Sequence, residues 1–142
     1  MIIPDVNLLV YAHIAAFPEH AKARRWWERA LNSDDNVGIA LPALFGFLRL
    51  TTSPRIFQAP MPVARAIRAI ERWQERPNLR LLVPGPRHLE IAFDLVQQLG
   101  TAGNLTTDIQ LAALAIEHDA ELHSNDADFG RFPQVRWVNP LA

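Results

Sequence analysis

Four aspartates stand out by where they fall along the chain. Asp5 follows the opening apolar run, Met1 to Pro4. Asp108 opens a nearly uninterrupted apolar stretch, Ile109 to Ile116, and Asp126 and Asp128 lie just beyond the short segment that comes after it. Carboxylates gathered in one crevice repel one another, and some must bind a proton unless a cation joins them. An all-oxygen set favours a hard divalent ion, Mg²⁺ or Mn²⁺, over zinc. The chain has no cysteine to offer as a softer ligand. Such an ion keeps several waters and meets a phosphate, the arrangement of metal-assisted phosphodiester hydrolysis. The plainer alternative is that each Asp caps a helix or a turn, the commoner role for one such residue alone.

The elements around these residues decide whether they can meet. In "TTDIQLAALAIEHDAELHSNDADF" (Thr106 to Phe129), Thr107 and Gln110 have the spacing of a capping box, and the apolar run after Asp108 predicts a central, buried helix. Asp108 falls in its first turn, where a carboxylate suits the positive end of the helix dipole. A short strand, Glu121 to Ser124, follows and leaves through Asn125, Asp126, Ala127 and Asp128.

Earlier in the chain, Met1 to Pro4 reads as a strand. Helices are expected over Leu8 to Ala16, Ala21 to Leu31, Pro42 to about Thr51, Val63 to Arg76 and His88 to Leu99, with Gly100 as a C-terminal cap. Val37 to Ala40, Leu79 to Val83 and Val135 to Val138 complete the strands. Alternating strands and helices predict one α/β domain over residues 1–142, with a mainly parallel sheet and helices on both faces. In a parallel βαβ unit the crossover helix begins at the carboxyl edge of the sheet. Asp5, Asp108, Asp126 and Asp128 therefore all fall on that edge, where open α/β sheets place their ligand crevices. Asp34, Asp35, Asp94 and Asp119 do not share that location.

Composition narrows the class without naming a partner. Hydrophobic residues make up 49% and charged residues 20%, as in ordinary globular domains, and the net charge of −1 does not announce a nucleic-acid binder. Absence of cysteine is compatible with a reducing cytoplasm. Nothing near the start reads as an export signal, and no stretch has the length of a membrane span. Arg65, Arg68, Arg72 and Arg76 recur at helical spacing and form one stripe that could track an RNA backbone, although Glu71 and Glu75 partly offset it and a solvated face is the expectation. Trp26 and Trp27 are adjacent, so a helix cannot bury both on one narrow face; packing under a neighbouring helix is expected. No close histidine pair, phosphate-binding glycine loop or nucleophile-elbow serine is present.

The chain resembles the PIN-domain ribonucleases, in particular the VapC-like toxins of toxin–antitoxin pairs. The resemblance is carried by "IIPDVNLLVYA", by "LFGFLRLTTSPRIF" and most specifically by "GNLTTDIQLAALAIEHDAELHSNDADFGRFPQVRWVNP". It implies a divalent-metal endoribonuclease of PIN-like, Rossmann-like fold, acting in the cytoplasm. By resemblance Asp5, Asp108, Asp126 and Asp128 match the metal-binding acids, the first three being the expected catalytic set. Ser124 matches a supporting hydroxyl residue in the same loop. Partners implied are an RNA substrate, an antitoxin that holds the toxin inactive, and a second copy, with self-association expected through the early helices. One departure matters: many relatives carry a further acid where this chain has Gly46. Either the four aspartates suffice, or another acid such as Glu90 reaches in, or activity is weakened. The alternative class is a PIN-fold module that binds RNA or protein without cutting.

Overall fold

The computed structural model describes residues 1–142. Five strands, β1 (Ile2–Pro4), β2 (Val37–Ala40), β3 (Leu79–Leu82), β4 (Glu121–His123) and β5 (Arg136–Val138), form one sheet in the order β3-β2-β1-β4-β5. Every neighbouring pair is parallel, so all five carboxyl ends lie along one edge. The order reverses at β1: the chain moves outward through β2 and β3, then returns to the other side of β1 for β4. The gap between the ends of β1 and β4 is thus the topological switch point, the position where this kind of sheet leaves a crevice.

Six helices connect the strands: α1 (Val6–His13), α2 (His20–Leu31), α3 (Leu41–Thr51), α4 (Val63–Gln74), α5 (His88–Leu99) and α6 (Thr106–Glu117). The helix order expected from the sequence is present, with shifted boundaries. α1 ends at His13 rather than Ala16, because Ile14 is already extended and its N–H closes the last turn on the Val10 carbonyl. Gly100 does end α5, with φ 76°, in the left-handed region that glycine enters without steric cost.

The capping box expected at Thr107 does not form. A short 3₁₀ turn, Gly103–Leu105, runs straight into α6, so Thr107 already lies inside the helix and Leu105 stands at its cap. Gln110 instead turns its amide to the Thr106 carbonyl at 3.2 Å. Asp108 remains in the first turn. The body of α6 is buried as its composition predicts, from Ile109 through Leu111 to Ala115. It packs against α5, α3 and β4.

Both adjacent tryptophans are buried, Trp26 at 6% exposure and Trp27 at 4%. α2 resolves the conflict by being covered on two sides. The Trp26 indole N–H donates to His123 Nδ1 of β4 at 3.1 Å, while Trp27 meets Trp73 of α4 edge-on at 5.5 Å between ring centres. A helix hidden on two sides can bury residues 100° apart.

Candidate metal centre

Asp5 leaves the end of β1 and caps α1: its Oδ1 accepts from the Val6 N–H at 2.7 Å. Its backbone N–H donates to the His123 carbonyl at 2.9 Å, which ties the end of β1 to the end of β4. The second carboxylate oxygen, Oδ2, accepts from the Ser124 hydroxyl at 2.7 Å. Ser124 is fully buried just past β4, and its Oγ in turn accepts from the Asp126 N–H at 2.9 Å. Asp126 Oδ1 accepts from the Asp128 N–H at 2.9 Å, capping the 3₁₀ turn Ala127–Arg131. One hydrogen-bonded chain therefore runs Asp5–Ser124–Asp126–Asp128 across the switch point. It is the loop, through Ser124, that fixes the first aspartate.

Asp108 approaches from the start of α6 and behaves differently. No hydrogen bond steadies its carboxylate; burial and then the charges of Asp5, Asp126 and Asp128 push its pKa up to about 6. Asp5 is also raised, by burial first, with the hydrogen bonds from Ser124 and Val6 working in the opposite direction and Asp126 adding to the rise. Desolvation and like charge both disfavour ionised carboxylates. Asp5, Asp126 and Asp128 thus all act on Asp108 through their charge. Asp128 is half exposed and 3.9 Å from Arg131.

Both readings of these residues have a physical counterpart. Asp5 and Asp126 do cap, each with one oxygen. Asp108 caps nothing, and a half-buried carboxylate set among three others without a compensating donor is the feature that capping does not explain. The donor set suits a hard divalent ion in its chemistry. As the side chains stand, however, no three acidic or imidazole groups come close enough to hold one.

Two further residues bear on the site. Asn7, two positions after Asp5, has a buried amide oxygen with no partner; it lies within α1, which begins at Val6 rather than at the expected Leu8, and nothing in the sequence signalled an unsatisfied acceptor. A Cβ at Gly46 would lie 3.1 Å from Val6 Cγ2. Gly46 therefore marks the close approach of α3 to α1, against the residue whose N–H holds Asp5. Glu90 does not take the place of the missing acid: it faces Arg87 at 3.9 Å, is exposed, and is absent from the groups acting on Asp108.

The family model described as "PIN domain" matches residues 2–135. Ribonuclease VapC33 of Mycobacterium tuberculosis is 54% identical over 141 residues, covering 99% of each chain. Among solved structures, Mycobacterium tuberculosis VapC20, described as a Sarcin-Ricin loop cleaving toxin, superposes with a TM-score of 0.71 at 18% identity, covering 96% of this chain and 98% of that one. A toxin–antitoxin complex from Klebsiella pneumoniae gives a TM-score of 0.67 at 17% identity, covering 99% and 98%. With the fold, the switch-point aspartates and a match over nearly its whole length, the chain belongs to the PIN domain family.

Proposed function

We propose that this chain, acting as one PIN domain, is an endoribonuclease and the toxin of a toxin–antitoxin pair, hydrolysing RNA phosphodiester bonds at the carboxyl edge of its sheet in the cytoplasm. The observation that carries the reading is Asp108, a carboxylate pressed by three others and satisfied by none of the protein's own donors. The 54% identity to a ribonuclease over nearly the full length supports the substrate class. A hard divalent ion, Mg²⁺ or Mn²⁺, bound there would neutralise the cluster and supply an acidified water for attack at phosphorus.

The protein's own part is positioning. Asp5, held from both sides by Val6 and Ser124, presents a fixed carboxylate. Asp5, Asp126 and Asp128 act on Asp108 through their charge, and Ser124 keeps the β4 loop at hydrogen-bond distance from Asp5. Cleavage of a labelled RNA should require added Mg²⁺ or Mn²⁺, stop in EDTA, and vanish in Asp108→Asn with the fold intact. Wild-type turnover persisting in excess EDTA would sink the metal-based reading. The second reading, a binding module without activity, is favoured by one observation, Gly46 in place of a further acid, and the same assay separates the two.

The partner follows the same logic. A similar fold is found in a toxin–antitoxin complex, and the acidic edge suits a basic side chain brought in by an inhibitory segment. Self-association is better supported away from the early helices: no large apolar side chain is exposed on α1 or α2, whereas Leu41 and Phe45 of α3, Leu81 of the edge strand β3, and Leu89 and Phe93 of α5 are. Phe93→Asp should therefore shift a dimer toward monomer by light scattering, and an Arg25→Asp change on α2 should not.

A further inference from the structure

The loop that carries Asp126 and Asp128 is held from a second direction, by β5. This strand pairs with β4 in the register Leu122 to Trp137 and His123 to Val138, and it continues beside the chain after β4 has ended. The Ser124 N–H donates to the Val138 carbonyl at 3.0 Å. The Ser124 carbonyl accepts from the Trp137 indole N–H, also at 3.0 Å. One residue further out, the Asn139 side-chain amide donates to Asn125 Oδ1 at 3.2 Å. Asn139 is itself fixed, because its Oδ1 accepts from the Leu141 N–H at 3.0 Å.

Ser124 therefore has every polar group engaged. Its N–H meets the β5 main chain, its Oγ lies between Asp5 and Asp126, and its carbonyl meets Trp137. Buried polar groups rarely go unpaired, so a residue satisfied at all three positions is held to one arrangement. Of these partners the Trp137 indole is the one side chain from outside the aspartate chain. Its bond sets the plane of the peptide after Ser124, and that peptide directs Asn125 and Asp126 away from β4. The ring then reaches the 3₁₀ turn Ala127–Arg131, where a Cβ on Gly130 would lie 3.8 Å from Trp137 Cζ3. From the core side Phe129 and Phe132, both buried, anchor the same turn.

Burial alone does not account for a tryptophan here. Trp26, Trp27 and Trp73 are 6%, 4% and 3% exposed, whereas Trp137 stays partly open at the edge of the sheet. A phenylalanine would cover nearly the same area, but it has no N–H with which to aim a carbonyl. Groups that orient metal-ligating side chains from outside are typically worth about ten- to a hundredfold in metal affinity or activity.

We propose that Trp137 is a positioning residue of the acidic edge: through the Ser124 carbonyl it holds the loop of Asp126 and Asp128 in the geometry that binds a divalent ion, with Asn139 as a second brace. The proposal rests on the metal-dependent reading above.

The test compares the full wild-type chain with Trp137→Phe. Mg²⁺ alone, without RNA, should raise the wild-type Tm and change tryptophan emission, and the emission change should vanish in the variant. Trp137→Phe should need about tenfold more Mg²⁺ for the same gain in Tm. On a labelled RNA at fixed Mg²⁺ its kcat should fall about tenfold with KM for RNA unchanged, and excess Mg²⁺ should restore part of the loss. Asn139→Ala should move the Mg²⁺ requirement in the same direction by less. A Trp137→Phe chain with a lower apo Tm but the wild-type Mg²⁺ requirement and kcat would place Trp137 in packing alone and overturn the proposal. If that variant fails to fold, Asn139→Ala decides, and an unchanged Mg²⁺ requirement there would overturn it equally. In both cases a wild type that binds Mg²⁺ and cuts RNA leaves the cleavage assignment standing. A wild type that binds neither Mg²⁺ nor Mn²⁺ would strike the metal-based reading itself, and this proposal with it.

Discussion

The acidic edge and the cavity between α1, α2 and α4, lined by Arg65, Arg68 and Arg72, concentrate opposite charges by opposite means. At the edge, four aspartates from three separate elements are forced together by the sheet, and two are wired into place through Ser124. Like charge and burial then raise the pKa of Asp5 and Asp108. In the cavity, three arginines sit on one helix at its natural spacing, each free to relax into solvent, so their mutual repulsion is screened and small. The first arrangement is fixed by hydrogen bonds and short-ranged, as the proposed site of bond cleavage requires. The second is adaptable and long-ranged.

That contrast can be broken at its acidic end first. Asp108→Asn keeps the side-chain shape and removes one of four charges, so RNA cleavage should fall at least about a thousandfold, roughly 4 kcal/mol in the barrier. The apo protein should nevertheless melt higher than wild type, because the substitution relieves repulsion. An apo Asp108→Asn that melts clearly lower would assign that residue to structure, and its place in the site would have to be given up.

Ser124→Ala removes the hydroxyl that donates to Asp5 and accepts from Asp126. Leaving a buried carboxylate oxygen unpartnered costs about 1–3 kcal/mol, a fall of several degrees in Tm. It should also raise the pKa of Asp5 further, since the Ser124 bond is what holds it down. Activity should then be lost progressively on the acid side, at a higher pH than in wild type. A pH–rate profile of Ser124→Ala that overlays the wild-type curve would contradict the relay.

Metal and pH should act on the edge together. Mg²⁺ at about ten times its dissociation constant should stabilise the folded chain by roughly 1.4 kcal/mol, a shift of about 3–6 °C for a domain of this size. The sign of the pH effect follows from Asp108. Its folded pKa, about 6, lies above its ordinary value of 3.8, so the folded state binds the proton more tightly than the unfolded chain does. Its contribution to apo stability is therefore full below about pH 4 and is lost as pH rises through about 6. Other groups add their own trends, so the readout is the difference between wild type and Asp108→Asn, which should shrink as pH falls through that window. With Mg²⁺ present the same window should show metal stabilisation fading, because protons and the ion compete for one carboxylate. Equal Mg²⁺-induced shifts in the two proteins would remove Asp108 from the ligand set.

The smallest expected effect is the control. Asp34 is an exposed loop aspartate away from the carboxyl edge, and Asp34→Asn should leave cleavage, Mg²⁺ stabilisation and Tm within about 0.5 kcal/mol of wild type. A measurable loss of activity there would mean that bulk negative charge, and not the switch-point geometry, sets the behaviour of the edge.

The sequence by itself determined the order of the elements and which aspartates fall at their ends. Asp5 after an apolar run, Asp108 ahead of an apolar helix and the two aspartates after a short strand are local facts, because periodicity and element ends are written in neighbouring residues. The i, i+3, i+7 spacing of Arg65, Arg68 and Arg72 is local in the same sense. Helix limits were less legible: nothing near Thr107 revealed that the 3₁₀ turn before it would take the chain into α6 two residues early. Tertiary structure alone decided the rest. Only the strand order places the end of β4 beside the end of β1, and only that adjacency lets Ser124 reach Asp5 from 119 residues away. The packing of α2 between the sheet and α4 buries both Trp26 and Trp27. The α4 arginines Arg65, Arg68 and Arg72 stay exposed, as their sequence predicts, while bordering a cavity that only the packing of α1, α2 and α4 creates. Contacts between distant segments depend on which surfaces the whole chain can bury at once, and no window of neighbouring residues contains that information.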